Sequence, residues 1–171
     1  MNDKYNLIGK LRNMASVFLT CGDNILLLYR ENSSVIEDSW VASAGGHFEE
    51  NEINDARVCA MRELYEELRI TEDMIDNLSL RYVTLRRTDK EIRQNYYFFA
   101  ELNNGIKMNL KSNEGQLKWF SLDEINGLKM PFTAKYVTEH WLDVGRNTTD
   151  IYGGIADGEK VVFTEMPAFL N

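Results

Sequence analysis

Apolar residues fall in short alternating or continuous blocks along most of the chain, and these blocks predict strands before they predict helices. Met14 to Thr20 reads as a strand, Gly22-Asp23-Asn24 as a turn and Ile25 to Arg30 as the returning strand of a hairpin. An apolar strand starting at Trp40 runs into the pair Gly45-Gly46 and then into an acidic loop that reaches Glu52. The period then changes. Ala56, Ala60, Leu64 and Leu68 recur at four-residue intervals with Met61 and Tyr65 beside them, the apolar stripe of a helix that faces a core. Two long strands, Leu78 to Arg87 and Ile92 to Leu102, follow around the polar turn Thr88-Asp89-Lys90-Glu91. Leu117 to Phe120 predicts another strand, and Ser121 with Glu124 three residues later forms a capping box that starts a short helix. A helix over Thr133 to Val144, closed by Gly145, precedes a last hairpin, Thr149 to Ala156 and Glu159 to Met166, around Asp157-Gly158. Strands and helices are mixed and do not alternate, which predicts an α/β (α+β) arrangement of helices on a sheet.

The predicted helix carries chemistry on a second face. Glu63, Glu66 and Glu67 fall within about a 100° arc and roughly 6 Å of axis. Like charges at these spacings cost an isolated helix about 0.2 to 0.5 kcal/mol per pair, so the face is unfavourable without a cation against it. Carboxylate oxygens are hard ligands suited to Mg²⁺ or Mn²⁺. The alternative for such a run on its own is a solvated acidic face. The glycine pair upstream adds to the metal reading, because glycine lets backbone approach a bound ion or phosphate closely.

Gly46, Glu52 and the block Arg62-Glu63-Leu64-Tyr65-Glu66-Glu67 together resemble the signature of the Nudix hydrolases, the MutT-like pyrophosphohydrolases, which reads G-x5-E-x7-R-E-U-x-E-E-x-G-U with U a bulky aliphatic residue. The box spans about residues 45–70 of a single domain over residues 1–171. Two departures mark this chain. Nine residues, not seven, separate Glu52 from Arg62, and Arg69 stands where the signature has its last glycine. Losing that glycine from a left-handed helix cap costs about 1 kcal/mol. A second stretch, Asn113-Glu114-Gly115 followed by Gln116 to Ile125, is similar to the segment in which MutT-type enzymes bring a glutamate to the metal.

The resemblance implies a Nudix-type α/β/α sandwich on a mixed central sheet, here with an added C-terminal hairpin. It implies that Glu63, Glu66, Glu67 and Glu114, with the Gly46 carbonyl, bind Mg²⁺, for which Mn²⁺ can substitute. Glu66, Glu67 or Glu114 would deprotonate or orient the attacking water. Arg62, with Gly45 and Glu52, would support the array by ion pairing and close approach. Arg30 at the end of the second strand, His47 beside the glycines and Phe132 in Met130-Pro131-Phe132-Thr133 are the candidate substrate contacts; surface positions are the alternative for Arg30 and His47. The reaction implied is hydrolysis of a nucleoside diphosphate linked to another moiety, first of all a nucleoside triphosphate such as 8-oxo-dGTP, to monophosphate and pyrophosphate. Nucleotide sugars and dinucleoside polyphosphates are the alternative substrates, and a non-catalytic nucleotide-binding regulator is the alternative class.

Composition narrows the partners. Nineteen basic against 27 acidic residues give a formal net charge of −8, which disfavours a nucleic-acid polymer and leaves a small nucleotide. Arg81, Arg86, Arg87, Lys90 and Arg93 with Tyr82, Tyr96 and Tyr97 form the one basic and aromatic concentration; strand alternation sends neighbours to opposite faces, so a sheet edge or a contact to a nucleotide base fits it better. Cys21 and Cys59 lack C-x-x-C spacing and read as packed thiols, and His47 and His140 lie too far apart for a histidine-rich zinc site. No apolar run approaches the ~20 residues of a membrane span, and Met1 to Tyr5 do not open a secretory signal, so a cytoplasmic enzyme is expected. Similar proteins are often homodimers; the chain leaves its own state open.

Overall fold

A computed structural model describes residues 10–31, 38–88, 90–103 and 110–168. Met1 to Tyr5 and Asp89 of the expected turn lie outside them. Among the described residues, nine strands form one mixed sheet: β1 (Lys10–Cys21), β2 (Asn24–Arg30), β3 (Ser39–Val41), β4 (Ala44–His47), β5 (Ile75–Arg87), β6 (Glu91–Leu102), β7 (Gln116–Ser121), β8 (Tyr152–Ala156) and β9 (Val161–Glu165). Their order is β3-β2-β1-β6-β5-β8-β9, with β4 added to β1 and β7 to β2. β1 runs parallel to β6 and β5 parallel to β8; the remaining pairs are antiparallel.

Strand alternation divides the core in two. Ala15, Val17 and Leu19 of β1 join Phe98, Ala100 and Leu102 of β6 beneath α1 (Ala56–Leu68), against Cys59, Ala60, Leu64 and Leu68. From the same strands Phe18, Tyr97 and Phe99 point the other way, to Ala134, Val137 and Trp141 of α2 (Phe132–Asp143). The result is helix, sheet, helix, as the resemblance implied. The apolar positions at period two decide which side chains meet which helix, since a slip of one residue would invert every one of them.

Helix α1 starts at Asp55, whose carboxylate accepts the N–H groups of Arg57 at 3.0 Å and Val58 at 3.4 Å. It ends at Arg69, left-handed at φ 58°, while the Ile70 N–H reaches back to the Leu64 carbonyl at 3.2 Å. The glycine-type cap therefore forms on an arginine, at the cost expected for a side chain there.

Three expectations are revised, and a fourth is met in 3-10 form. The strand from Trp40 is two strands, because the chain leaves one partner for another: Trp40 pairs with Tyr29 of β2, and Gly46 with Ala15 of β1. Between them buried Ser43 donates to the Leu26 carbonyl at 2.6 Å and accepts the Leu19 N–H at 2.9 Å, so neither backbone group is stranded at the crossing. The glycine pair consequently lies inside β4. Tyr65 is 52% exposed with the Arg69 guanidinium over its ring, and Cys59 takes the buried place instead. The capping box starts the expected short helix, Leu122–Gly127, as a 3-10 helix in which Glu124 accepts the Ser121 N–H at 2.8 Å. Gly145 is not a left-handed cap of α2; it starts the next 3-10 turn, and a Cβ on it would meet the Tyr82 hydroxyl.

The last hairpin, β8 and β9, continues the sheet beyond β5 and turns through Gly158 at φ 102°. Arg81 anchors it. This buried guanidinium donates to the carbonyls of Gly145 at 2.7 Å, Thr148 at 2.8 Å and Asp150 at 3.0 Å, so it is neither a solvated edge residue nor a base contact.

Leu64→Ala should cost about 2 to 5 kcal/mol in urea denaturation and Tyr65→Ala no more than about 0.5 kcal/mol, since only the first opens a cavity. Equal losses would contradict the helix orientation.

Candidate active site

Arg62 lies at the centre of the acidic face of α1. Its Nε donates to Glu52 at 2.7 Å and its Nη2 to the other oxygen of the same carboxylate at 3.0 Å, a two-pronged ion pair. Nη1 reaches Glu63 at 2.7 Å and Glu66 at 3.0 Å, and Nη2 also donates to the His47 carbonyl at 2.9 Å. One guanidinium thus ties the helix to β4 and to the loop before it. Glu52 is buried, and the hydrogen bond from Arg62, more than any other influence, lowers its pKa to about 2. Exposed Ile53 and Asn54 lead from a single 3-10 turn into the helix, and the Glu52–Arg62 pair forms across the longer spacing.

The glutamates are not equivalent. Glu63 is buried, and desolvation raises its pKa against the pull of Arg62. A Cβ at Gly46 would run into this carboxylate, so glycine is what allows β4 and the helix to lie this close. Glu66 is exposed beyond its Arg62 contact. Glu67 faces the sheet. Burial raises its pKa to about 7, with the charge of Glu63 and, more weakly, of Glu114 acting in the same sense; Arg30 and a hydrogen bond from the Gly45 backbone oppose them. Its Oε2 is buried without a hydrogen-bond partner among the described residues.

Glu114 enters from the bend that precedes β7. A Cβ on Gly115 would collide with the Tyr29 carbonyl, so the chain passes tightly over the end of β2 and Glu114 meets Arg30 at 2.8 Å. Arg30, Gly45 and Glu67 line a cleft between the sheet and the start of α2 that encloses about 130 Å³. Phe132 lines it too, with the Arg86 guanidinium 5.0 Å from its ring centre. His47 does not. Its exposed side chain lies against Arg12, outside the cleft, and burial followed by the charge of Arg12 lowers its pKa.

Arg86, Arg93 and Asn95 also line the cleft and were not singled out there from sequence, although the first two belonged to the basic concentration. The available signal was alternation: residues 93, 95, 97 and 99 share a face, and Tyr97 and Phe99 are core. Cys59 supplies no nucleophile, since burial first of all pushes its thiol up to about 12, and neither Cys59 nor Cys21 is in a disulfide. His140 is a core-edge residue hydrogen-bonded to the Tyr82 hydroxyl at 2.9 Å.

Among the described residues no three acidic, histidine or cysteine side chains already stand in a ligating cluster, and Arg62 holds one oxygen each of Glu63 and Glu66. The donors nevertheless suit a hard divalent cation. They are all carboxylate oxygens, one of them buried and unpaired, and their negative charge exceeds what Arg62 and Arg30 supply. Among the described residues, no helix is long and apolar enough to cross a membrane.

The NUDIX domain family model matches residues 10–141, ending before the β8–β9 hairpin. The chain belongs to the NUDIX domain family, and this membership together with the fold supports a pyrophosphohydrolase. Similar solved structures include the MutT protein of Bacillus halodurans, at 21% identity and TM-score 0.63, covering 92% of this chain and 99% of that one. The MutT protein of Methanosarcina mazei Go1 is 16% identical with TM-score 0.64, covering 82% and 98%. An Ap4A hydrolase of C. elegans is likewise 16% identical with TM-score 0.62, covering 80% and 99%. No curated protein matches the chain significantly in sequence.

The Glu52–Arg62 pair makes a pH prediction. A carboxylate whose pKa falls on folding stabilises the protein above its unfolded value of 4.5 and loses that contribution as pH drops toward about 2. Stability measured by urea denaturation should therefore decline over this window, by up to about 3 kcal/mol from this group. Glu52→Gln should reduce the decline; an unchanged pH profile would contradict the pairing.

Proposed function

We propose that the protein hydrolyses the phosphoanhydride of a nucleoside diphosphate linked to another group, first of all a nucleoside triphosphate, to monophosphate and pyrophosphate, with Mg²⁺ or Mn²⁺ as cofactor. The carrying observation is the buried, unpaired oxygen of Glu67 in a carboxylate group that also lines the cleft. A bound divalent cation would neutralise phosphate oxygens and make bound water a better nucleophile. Glu63, Glu67 and Glu114, with the Gly46 carbonyl, are the residues to hold it, and Glu66 can join when it leaves Arg62.

The chain's own groups then have separate tasks. Arg62 fixes Glu63 and Glu66 relative to β4, so the array keeps its geometry without substrate. Arg30, held by Glu114 at 2.8 Å, presents a guanidinium to a phosphate entering the cleft. Glu67 or Glu114 accepts the proton of the attacking water. Phe132 offers a ring face at the cleft wall for the nucleoside. The oxidised purine nucleotide 8-oxo-dGTP is the first triphosphate to test, and small nucleotides in the cytoplasm are the proposed substrates.

Hydrolysis should be measured with Mg²⁺ over nucleoside triphosphates including 8-oxo-dGTP, nucleotide sugars and dinucleoside polyphosphates. Turnover of one class should vanish with chelator, return with Mg²⁺ or Mn²⁺, and fall at least ~100-fold in Glu67→Gln, the scale of losing a general base. Cleavage confined to sugars or dinucleotides would replace the triphosphate. Saturable nucleotide binding by folded protein without turnover would replace the enzyme by a nucleotide-binding regulator.

A further inference from the structure

Across the sheet, three arginines stand in one row. Arg12 of β1 is in register with Arg93 of β6, and Arg93 with Arg86 of β5. All three share the α2 face, since Met14 and Phe18 follow Arg12 at even spacing, Tyr97 follows Arg93, and Tyr82 precedes Arg86. Like charges directly opposite one another destabilise a sheet. Among the described residues, one carboxylate, Glu91, pairs with Arg12 and Arg93, and none pairs with Arg86. In a chain of net charge −8, this excess of cations on one row runs against the overall composition.

The surroundings add to it. Arg86 lies over Phe132, the first residue of α2, and this twelve-residue helix has no side-chain N-cap and no acidic residue in its first turn. Its free N–H groups therefore sit beside a guanidinium, two positive features placed together at the wall of a cleft. In the same cleft the Oδ1 of Asn95 is buried without a hydrogen-bond partner. Arg12 is four residues along β1 from Ser16, which pairs with Gly45 beside the acidic helix, so the row lies roughly 13 Å along the sheet from that end.

We propose that Arg12, Arg86 and Arg93 form a second anion site, which binds a phosphate monoester carried by the substrate on the side away from the bond that is cleaved. The inference rests on the hydrolase reading and narrows it to nucleotide derivatives with a further phosphate on the sugar or its far end. Guanidinium groups match phosphate oxygens in pairs, and the α2 N–H groups supply further donors. Asn95 would accept a hydroxyl or amine hydrogen from the group that bears the phosphate.

The test is binding without turnover. Inorganic phosphate is titrated into metal-free protein while the arginine Nε–H signals are followed by NMR, in wild type, Arg86→Gln/Arg93→Gln, Arg86→Lys/Arg93→Lys and Glu67→Gln. Saturable binding is expected in wild type and Glu67→Gln, with an affinity at least tenfold lower in the glutamine pair and largely kept in the lysine pair. No saturation in wild type, or equal affinity in a folded glutamine pair, overturns the site. NADPH against NADH, and coenzyme A against its dephosphorylated form, differ by one phosphate monoester and test its source. At least a tenfold preference for the phosphorylated member of either pair, lost in the glutamine variant, supports a substrate-borne group. Equal affinities with phosphate binding intact overturn that part and leave free phosphate as the ligand. Because metal is absent and Glu67→Gln is retained, these outcomes are independent of whether the hydrolase reading survives.

Discussion

One guanidinium organises the acidic end of this molecule. Without Arg62, three carboxylates from a loop and a helix would face each other with no compensating charge, and α1 would lose its ion-paired tie to the loop before it and its guanidinium contact to β4. With it, Glu52 is fixed as a buried anion, Glu63 and Glu66 are each held by one oxygen, and the His47 carbonyl is tied in as well. Breaking such a pair by removing one partner costs more than the pair itself contributes, because an uncompensated buried charge remains. Arg62 is therefore a constraint on the fold before it is an aid to chemistry.

That constraint leaves a remainder. Arg62 reaches Glu52, Glu63 and Glu66 but not Glu67, which turns to the sheet with one oxygen unpaired. The glycines of β4 make this arrangement possible: Gly46 admits the Glu63 carboxylate, and Gly45 supplies a backbone hydrogen bond to Glu67. The same α1 that closes one half of the core thus presents, one face around, a set of carboxylate oxygens whose chemistry suits a hard cation. On the opposite sheet face the cleft reaches from Glu67 to Phe132 and the arginines beyond it, so the metal, phosphate and nucleoside of the proposed reaction would be met by elements from different layers.

Much of this was legible in the sequence because it follows from period and charge. The apolar runs placed β1 and β6, the four-residue interval placed Ala60, Leu64 and Leu68 of α1 in the core while missing Cys59, and the ExxEE spacing placed the acidic face. Glu52 was harder to read, since counting residues takes no account of a 3-10 turn and a loop that restore the contact with Arg62 despite the longer spacing. The strand break at Ser43 was also hidden, because an apolar run does not reveal that its two halves pair with different strands. His47 was placed by its proximity to the glycines; it shares a sheet face with Gly45, but two residues further along β4 its side chain lies against Arg12 and does not line the cleft. The arginine row needed the register of three strands distant in sequence, and no local pattern carries that.

The most direct test of the account is a crystal structure grown with Mn²⁺, with anomalous scattering used to place the ion. The account predicts a peak within coordination distance of Glu67 and Glu63, near the Gly46 carbonyl, with Arg62 still paired to Glu52. A saturating soak that gives no peak there, or one only at other carboxylates, would contradict it.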